Sequence, residues 1–471
     1  MKLLVENRFA LLFLVVVALS ALFGVAHLTA AALPSSTADA EPVLAPVEST
    51  TRLCPTPQGE EIRALVAGYA PGTQDTDDGV LETAPNTADA SPARPATEVG
   101  EPWQYEPEET ESGTVVRAER GFAAGAEITH LTAGESGTTE ARCAEPSSST
   151  WFAAPGGTEL KDLRLHLANI DETAATVNVD LYAPDGPTFS LETRGITVDP
   201  YTEVELSVLP LVEHAEAVAV HVRTNAGRVA AALYAQRSGR DADWVPATAA
   251  PATSHVIPGI PGGDGNRRLI LAAVSDEPTT VQLRLLTPDG EVDAETLTDV
   301  EVAPAATTRV SLEGPMERRD ATLVVIADHP VVVGVAIRHP DEGAAYTAAT
   351  EPLTPGPDAR AVAPPPFDDA EHALLLGAPE KAATVTLTPV EARGEQGEPL
   401  RVTVEAGSTL APDLDPADGA VAWLVEVVEG GPVHAARMVT VDGTSSVLPL
   451  LPAPVQVPLP PVVNSMTGIV P

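Results

Sequence analysis

The chain has 471 residues, with 67 acidic side chains against 27 basic ones and a formal net charge of −40. So negative a surface repels nucleic-acid phosphates and anionic lipid headgroups, which excludes a nucleic-acid partner and peripheral docking on an acidic bilayer. Aromatics are only 4% of residues, and 46 prolines with 35 glycines punctuate the chain, so long helices are excluded from most of it and the cores must be built from Val, Leu, Ile and Ala.

Residues 1–8 carry Lys2 and Arg8 and are expected on the cytoplasmic side. The segment 9–32 opens with an unbroken apolar or small run, Phe9 to Ala26. At 1.5 Å per residue that run spans roughly 27 Å, close to a hydrocarbon core. It reads as an uncleaved signal-anchor, a single transmembrane helix with everything after it outside the cytoplasm. Secretion after cleavage near Ala32 is the alternative, because Ala30-Ala31-Ala32 offers small residues at the right place. Residues 33–50 are rich in Pro, Ala, Ser and Thr and read as a stalk.

Residues 51–145 are less regular. Strand-like fragments appear at 62–67, 114–118 and 127–131, and the polar stretch 71–113 is expected to be a mobile acidic loop. The two cysteines, Cys54 and Cys143, lack metal-ligand spacing and lie beyond the apolar segment, in an oxidising compartment. A Cys54–Cys143 disulfide closing this region is expected, two free buried thiols being the alternative.

Three β-sandwich repeats are expected next, at 146–240, 254–340 and 360–445. Leu163, Leu165 and Leu167 alternate with Arg164 and His166, and Val177, Val179 and Leu181 alternate with Asn178 and Asp180, the period of half-buried strands. Strand-like runs open at Ala175, Thr279 and Ala383, an offset of 104 residues twice (279 − 175 and 383 − 279). The first two runs end at Pro184-Asp185-Gly186 and Pro288-Asp289-Gly290, which are turn signals. The stretches 217–234, 322–339 and 422–439 correspond as closing hairpins, and 236–257 and 340–366 read as Pro- and Ala-rich linkers. Residues 446–471 form a Pro-rich end, expected to lie as an extended strand against a domain. The fold class is therefore all-β: tandem immunoglobulin- or fibronectin-like sandwiches after a single N-terminal transmembrane helix.

Chemistry is sparse. There is no zinc-binding His-Glu-x-x-His, no Gly-x-Ser-x-Gly elbow, no Ser-x-x-Lys, no phosphate-cradling loop and no dinucleotide fingerprint. No catalytic, cofactor-binding or metal-binding residue is nominated, and no cofactor is expected. His166 and His221 fall on the polar faces of their strands and read as ordinary exposed residues. Asp75-Thr76-Asp77-Asp78-Gly79 lacks the register of a calcium loop. Trp103, beside Tyr105 in a polar stretch, is the candidate for an exposed, ligand-facing aromatic, and Trp423 reads as core.

An apolar anchor, Cys54-Pro55 after a stalk, Cys143 shortly before Trp151-x-x-x-Pro155-Gly156-Gly157, tandem β repeats and a Pro-rich end make up the layout. It resembles a family of actinobacterial membrane-anchored or secreted proteins of unknown function, whose genes often lie near a cell-envelope glycosyltransferase gene. The resemblance implies an envelope address and brings no catalytic residues. The expected function is a non-catalytic envelope scaffold or accessory protein acting through protein contacts, with an envelope glycosyltransferase or another envelope protein as partner. An envelope carbohydrate-binding module that takes cell-wall glycan is the alternative, and a hydrolase or transferase with a dispersed site is the second alternative.

Overall fold

The computed structural model describes residues 12–25, 44–59, 62–72, 78–107, 111–135, 137–158, 160–212, 214–237, 241–294, 297–356, 360–414 and 419–459. The chain divides into a small body, 1–45 with 457–471, and a large one, 46–456. In the small body residues 12–25 are helical with exposed apolar side chains. Among the described residues no helix is long and apolar enough to cross a membrane. Most of the expected stalk, 33–43, and the end of the chain, 460–471, lie outside the described residues, as do 9–11 and 26–32 of the expected anchor.

The chain is nearly all-β, 57% strand and 6% helix. In the large body one strand connectivity recurs four times. The first module holds β1 (Ser49–Cys54), β2 (Arg63–Tyr69), β3 (Gly79–Pro85), β4 (Trp103–Tyr105), β5 (Thr114–Arg120), β6 (Glu127–Gly134) and β7 (Gly137–Arg142). Its sheets run β1-β5-β3 and β4-β2-β6-β7. The second holds β8 (Ser149–Pro155), β9 (Asp162–Asn169), β10 (Ala175–Ala183), β11 (Thr202–Ser207), β12 (Ala217–Ala226), β13 (Ala230–Gln236) and β14 (Ala242–Val245), paired β8-β12-β10 and β11-β9-β13-β14.

The third module has β15 (Ala252–Ile260), β16 (Asn266–Ala273), β17 (Thr279–Thr287), β18 (Thr307–Ser311), β19 (Ala321–His339) and β20 (Gly343–Ala348). Here β19 serves both sheets. Its first half pairs β15 and β17, and its second half pairs β16 and β20. The change falls at Pro330, which has no N–H to give to a ladder. The fourth holds β21 (Arg360–Ala363), β22 (Glu371–Ala378), β23 (Ala383–Glu391), β24 (Ser408–Leu410), β25 (Ala420–Gly430), β26 (His434–Val441) and β27 (Thr444–Leu450), paired β21-β25-β23 and β24-β22-β26-β27.

Each pair of sheets closes on apolar residues brought in by period two. In the second module Leu163, Leu165, Leu167 and Leu233 of one sheet meet Phe152, Val177, Val179 and Val220 of the other, all at most 1% exposed. A side chain of that size is stabilised by roughly 1.5–3 kcal/mol on full burial.

Several expectations are corrected here. The immunoglobulin order puts the first, second, fourth and fifth strands in one sheet. In this chain the second strand sits between the fourth and sixth, so the second and fourth strands leave the sheet of the first and fifth and the third joins it. Alternation tells which strands have one buried face and is silent on their neighbours. The stretch 217–234 is not a hairpin, because β12 and β13 belong to opposite sheets, and the same holds for β25 and β26. The stretch 71–113 contains β3 and β4, and the linkers 236–257 and 340–366 contain β14, β15, β20 and β21. The region 51–145, expected to be irregular, has the connectivity of the others.

The first module has the smallest core, nine buried residues including Cys54 and Cys143. The two cysteines are bonded to each other, 89 positions apart, with both side chains fully buried. The bond ties the end of β1 to the residue after β7, so it clamps one sheet to the other. In the chain-entropy model a loop of this length contributes about 4–5 kcal/mol. Replacing both cysteines by serine is expected to lower the stability of this module by up to that amount. Hydrogen exchange would show it as lost protection in residues 63–142 with protection retained in 360–450; equal protection in both variants would refute it.

Candidate functional site

The seventh strands of the four modules meet. Strand β7 touches β14, β14 touches β20, β20 touches β27 and β27 returns to β7. These strands are buried along almost their whole length. Small and polar side chains let the backbones approach. The Thr138 N–H donates to Thr444 Oγ1 at 2.8 Å, and Thr138 Oγ1 donates to the Val441 carbonyl at 3.1 Å.

Charged groups sit at the centre of this junction. Glu140 of β7 and Arg437 of β26 form an ion pair with side chains 0% and 2% exposed. Arg437 also donates to the Pro364 carbonyl. Asp243 of β14 is fully buried. Its Oδ1 accepts from the Glu140 N–H at 3.0 Å and the Trp244 N–H at 2.8 Å, and its Oδ2 accepts from Ser446 Oγ at 2.6 Å. Burial pushes the Asp243 carboxyl well above the usual range, against the pull of those hydrogen bonds. One cluster thus joins the first, second and fourth modules.

Beside it lies a cavity of about 220 Å³, lined by Arg52, Glu140, Phe152, Trp244 and Leu448 among others. Trp244 Nε1 and Glu140 Oε2 are buried and have no hydrogen-bond partner among the described residues. Arg52 is paired with Glu145, a further lining residue, at 2.9 Å. With Arg52 Nε, also buried without a partner, the cavity offers shape and three polar groups, and among the described residues that line it no nucleophile touches a base.

The residues nominated from sequence are dispersed. Trp103 is 5% exposed, and its ring lies where a Cβ on Gly68 would be, 2.4 Å away, so it is core and not a ligand platform. Tyr105 is half-buried against the same core. A polar sequence neighbourhood concealed the burial because Trp103 sits on a three-residue strand between exposed loops. Asp75-Thr76-Asp77 lie outside the described residues. Trp423 is 4% exposed and donates its N–H to His372 Nε2 at 2.8 Å.

His166 is 2% exposed, which corrects the expectation of a surface residue. Its polar face is covered by the first module. His166 Nδ1 is 2.6 Å from Glu203 Oε1, and Thr56 Oγ1 of the first module donates to Glu203 Oε2 at 2.8 Å. His166, Glu203 and Glu205 have metal-ligand proximity. They do not make a convincing metal centre. Arg164 already lies 3.3 Å from Glu205, and among the described residues His166 Nε2 has no carbonyl or carboxylate partner of the kind that orients a ligating imidazole.

Ser149, His221 and Asp180 resemble a hydrolytic triad in order, with Ser149 Oγ 3.0 Å from His221 Nε2 and His221 Nδ1 3.8 Å from Asp180 Oδ2. The second distance is too long for a hydrogen bond. Asp180 is engaged by Arg194 and Arg223, and the His221 ring is stacked on Trp151 at 3.8 Å. The imidazole is thus placed by Trp151 and Ser149 and is not hydrogen-bonded to Asp180, as a triad would require.

A family model for a family of unknown function, DUF5719, matches residues 107–415. The chain belongs to the DUF5719 family. The DUF5719 match begins inside the first module, ends inside the fourth and spans Glu140 and Asp243. No curated protein matches the chain. Among solved structures it is similar to Thermotoga maritima 1070, at 20% identity over 18% of this chain and 79% of that one, TM-score 0.16. It is also similar to a Streptomyces avermitilis alpha-L-rhamnosidase complexed with L-rhamnose, at 9% identity over 84% of this chain and 55% of that one, TM-score 0.13. A third is an anti-sigma factor domain-containing protein from Clostridium clariflavum, at 10% identity over 84% and 100%, TM-score 0.13. At these scores none carries an argument about this DUF5719 protein.

Two outcomes are expected from the junction. Arg437→Met leaves the Glu140 charge buried and uncompensated, so it should cost about 3–5 kcal/mol in urea unfolding, while Arg437→Met with Glu140→Leu should recover most of that loss. If the double variant is as unstable as the single, the pair is not the reason. Asp243 has a raised folded-state pKa, so the folded chain binds the extra proton and stability falls as pH rises from about 3.9 towards that value. Asp243→Asn keeps the two hydrogen bonds accepted at Oδ1, turns the third into a donation from Nδ2 to Ser446 Oγ, and should flatten that fall; an unchanged slope of stability against pH would show that Asp243 does not cause it.

Proposed function

We propose that this protein is a non-catalytic scaffold or accessory protein of the cell envelope, held outside the cytoplasm by its N-terminal apolar segment and acting through protein contacts. The observation that carries the reading is the junction of four seventh strands around Glu140, Arg437 and Asp243. Such a junction fixes the modules of the large body against one another and leaves their outer sheets and loops for partners. Recurrence of one connectivity supports descent of the modules from a single two-sheet unit as tandem repeats. A scaffold built that way needs rigidity and repeated surface, and no reacting constellation.

The extracytoplasmic address is supported by the apolar run 9–26 and by the Cys54–Cys143 bond, which persists in oxidising compartments. The partner suggested by the family resemblance is an envelope glycosyltransferase or another envelope protein. Glycan binding is the weaker reading. All four tryptophans are 3–8% exposed and each of the six tyrosines is buried or half-buried, so stacking platforms are scarce.

Crosslinking intact cells that carry a C-terminally tagged copy tests this. A stoichiometric envelope protein recovered with the chain is the expected result. Turnover of an envelope substrate by the purified chain, abolished by one point substitution, would overturn the non-catalytic reading, and pelleting with purified wall polymer would move the function to glycan binding.

A further inference from the structure

The cavity of about 220 Å³ beside the central junction is walled by three modules. Arg52 and Glu140 belong to the first, Phe152, Ala232 and Trp244 to the second and Leu448 to the fourth. Strand register explains the room inside it. Tyr234 of β13 lies opposite Trp244 of β14, so Ala232, two residues before Tyr234, shares the face of both rings. Ala141 of β7 packs in the same cluster. At both alanines the side chain ends at a methyl, which leaves space between the modules. Phe152, Val245 and Leu448, all buried, give the wall its apolar surface.

The charges in the wall are already matched. Arg52 is paired with Glu145, Glu140 with Arg437 and Arg142 with Glu127. An ionic ligand would have to break one of these pairs or be buried without a counter-charge, and both are costly. The occupant that fits is neutral.

What the ion pairs leave over is hydrogen-bonding capacity. Trp244 Nε1 is a donor, and its ring is set by His166 and Tyr234, each edge-on at 5.2 Å. Arg52 Nε is a second donor and Glu140 Oε2 an acceptor. All three atoms are buried and have no hydrogen-bond partner among the described residues. A hydroxyl matches them in kind, with one hydrogen to give and two lone pairs to receive. A sugar carries more hydroxyls than three groups can meet, and the apolar wall would hold the rest away from water.

We propose that this cavity binds a small neutral molecule, apolar and about one ring in size, through a single hydroxyl. Trp244 donates to the hydroxyl oxygen, Glu140 accepts its hydrogen, and Phe152, Val245 and Leu448 cover the ring. The size follows from the volume: an apolar cavity of about 150 Å³ takes benzene, and 220 Å³ adds room for a short substituent. The bound molecule touches the first, second and fourth modules at once. The proposal goes beyond the scaffold reading and does not rest on it, since no protein partner enters it.

The test is calorimetric titration of the full chain, in detergent, with p-cresol, cyclohexanol and toluene, each against a micelle blank. Saturable binding of at least one hydroxyl probe is expected, with toluene at least tenfold weaker because it leaves the buried polar groups unpaired. Preference between p-cresol and cyclohexanol tells whether the ring is aromatic or alicyclic. Ala232→Leu fills the cavity and should abolish binding. Trp244→Phe removes the N–H and keeps a ring, so it should weaken the hydroxyl probe about tenfold and leave toluene no weaker. Trp423→Phe, at a buried tryptophan outside the cavity whose N–H is held by His372, should leave binding unchanged. Where Ala232→Leu fails to fold, Trp244→Phe decides alone. No saturable binding of either hydroxyl probe, toluene as tight as they are, unchanged binding in Ala232→Leu or Trp244→Phe, or equal loss in Trp423→Phe would overturn the proposal and leave the cavity as a packing gap between modules.

Discussion

The large body depends on a desolvated polar contact. Glu140, Arg437 and Asp243 lose their hydration where the seventh strands meet, and they are held only because each finds partners from another module. Such a contact is expensive to assemble incompletely, since an uncompensated buried charge is strongly destabilising. It therefore acts as a register mark. The Glu140 N–H and the Ser446 hydroxyl reach Asp243 together only when the first, second and fourth modules are all in place.

Apolar burial supports that arrangement. The core of the second module continues into the third through Ile270, Ala272, Val332 and Tyr346, and the core of the third takes in Ala436 and Val447 of the fourth. Leu65 and Leu131 of the first module pack with Phe367 and Val439 of the fourth. Polar ties run along the same seams, including Arg63 on Asp369, Thr409 on the Leu286 carbonyl and Thr350 on His434. Alanine-rich strands suit this role, because small side chains bring backbones within hydrogen-bonding reach across a module boundary.

Charge is organised on two scales. Most arginines sit in ion pairs on the surface, such as Arg228 with Asp171 and Arg284 with Glu291 and Glu380, where each pair contributes little to stability. The remaining structure in the electrostatics lies in concave or buried places, where water does not screen it. The central junction is one such place.

Sequence by itself determined the all-β class, the strands with one wet face and the spacing of 104 residues that recurs in β10, β17 and β23. Those strands advertise themselves because one face is apolar and the other polar, so period two is written in the residues. The same rule fails for β7, β14, β20 and β27. They are covered on both sides, by their own module and by neighbouring ones, and their small and polar residues read as irregular chain (Thr138), linker (Asp243, Ala344) or tail (Ser446). Trp103 and His166 were misread for a related reason, since the residues that cover them come from elsewhere in the fold. Which strands pair and which polar residues are buried together are decisions of tertiary structure alone, because each depends on groups far apart in sequence whose desolvation is settled only when the modules close on one another.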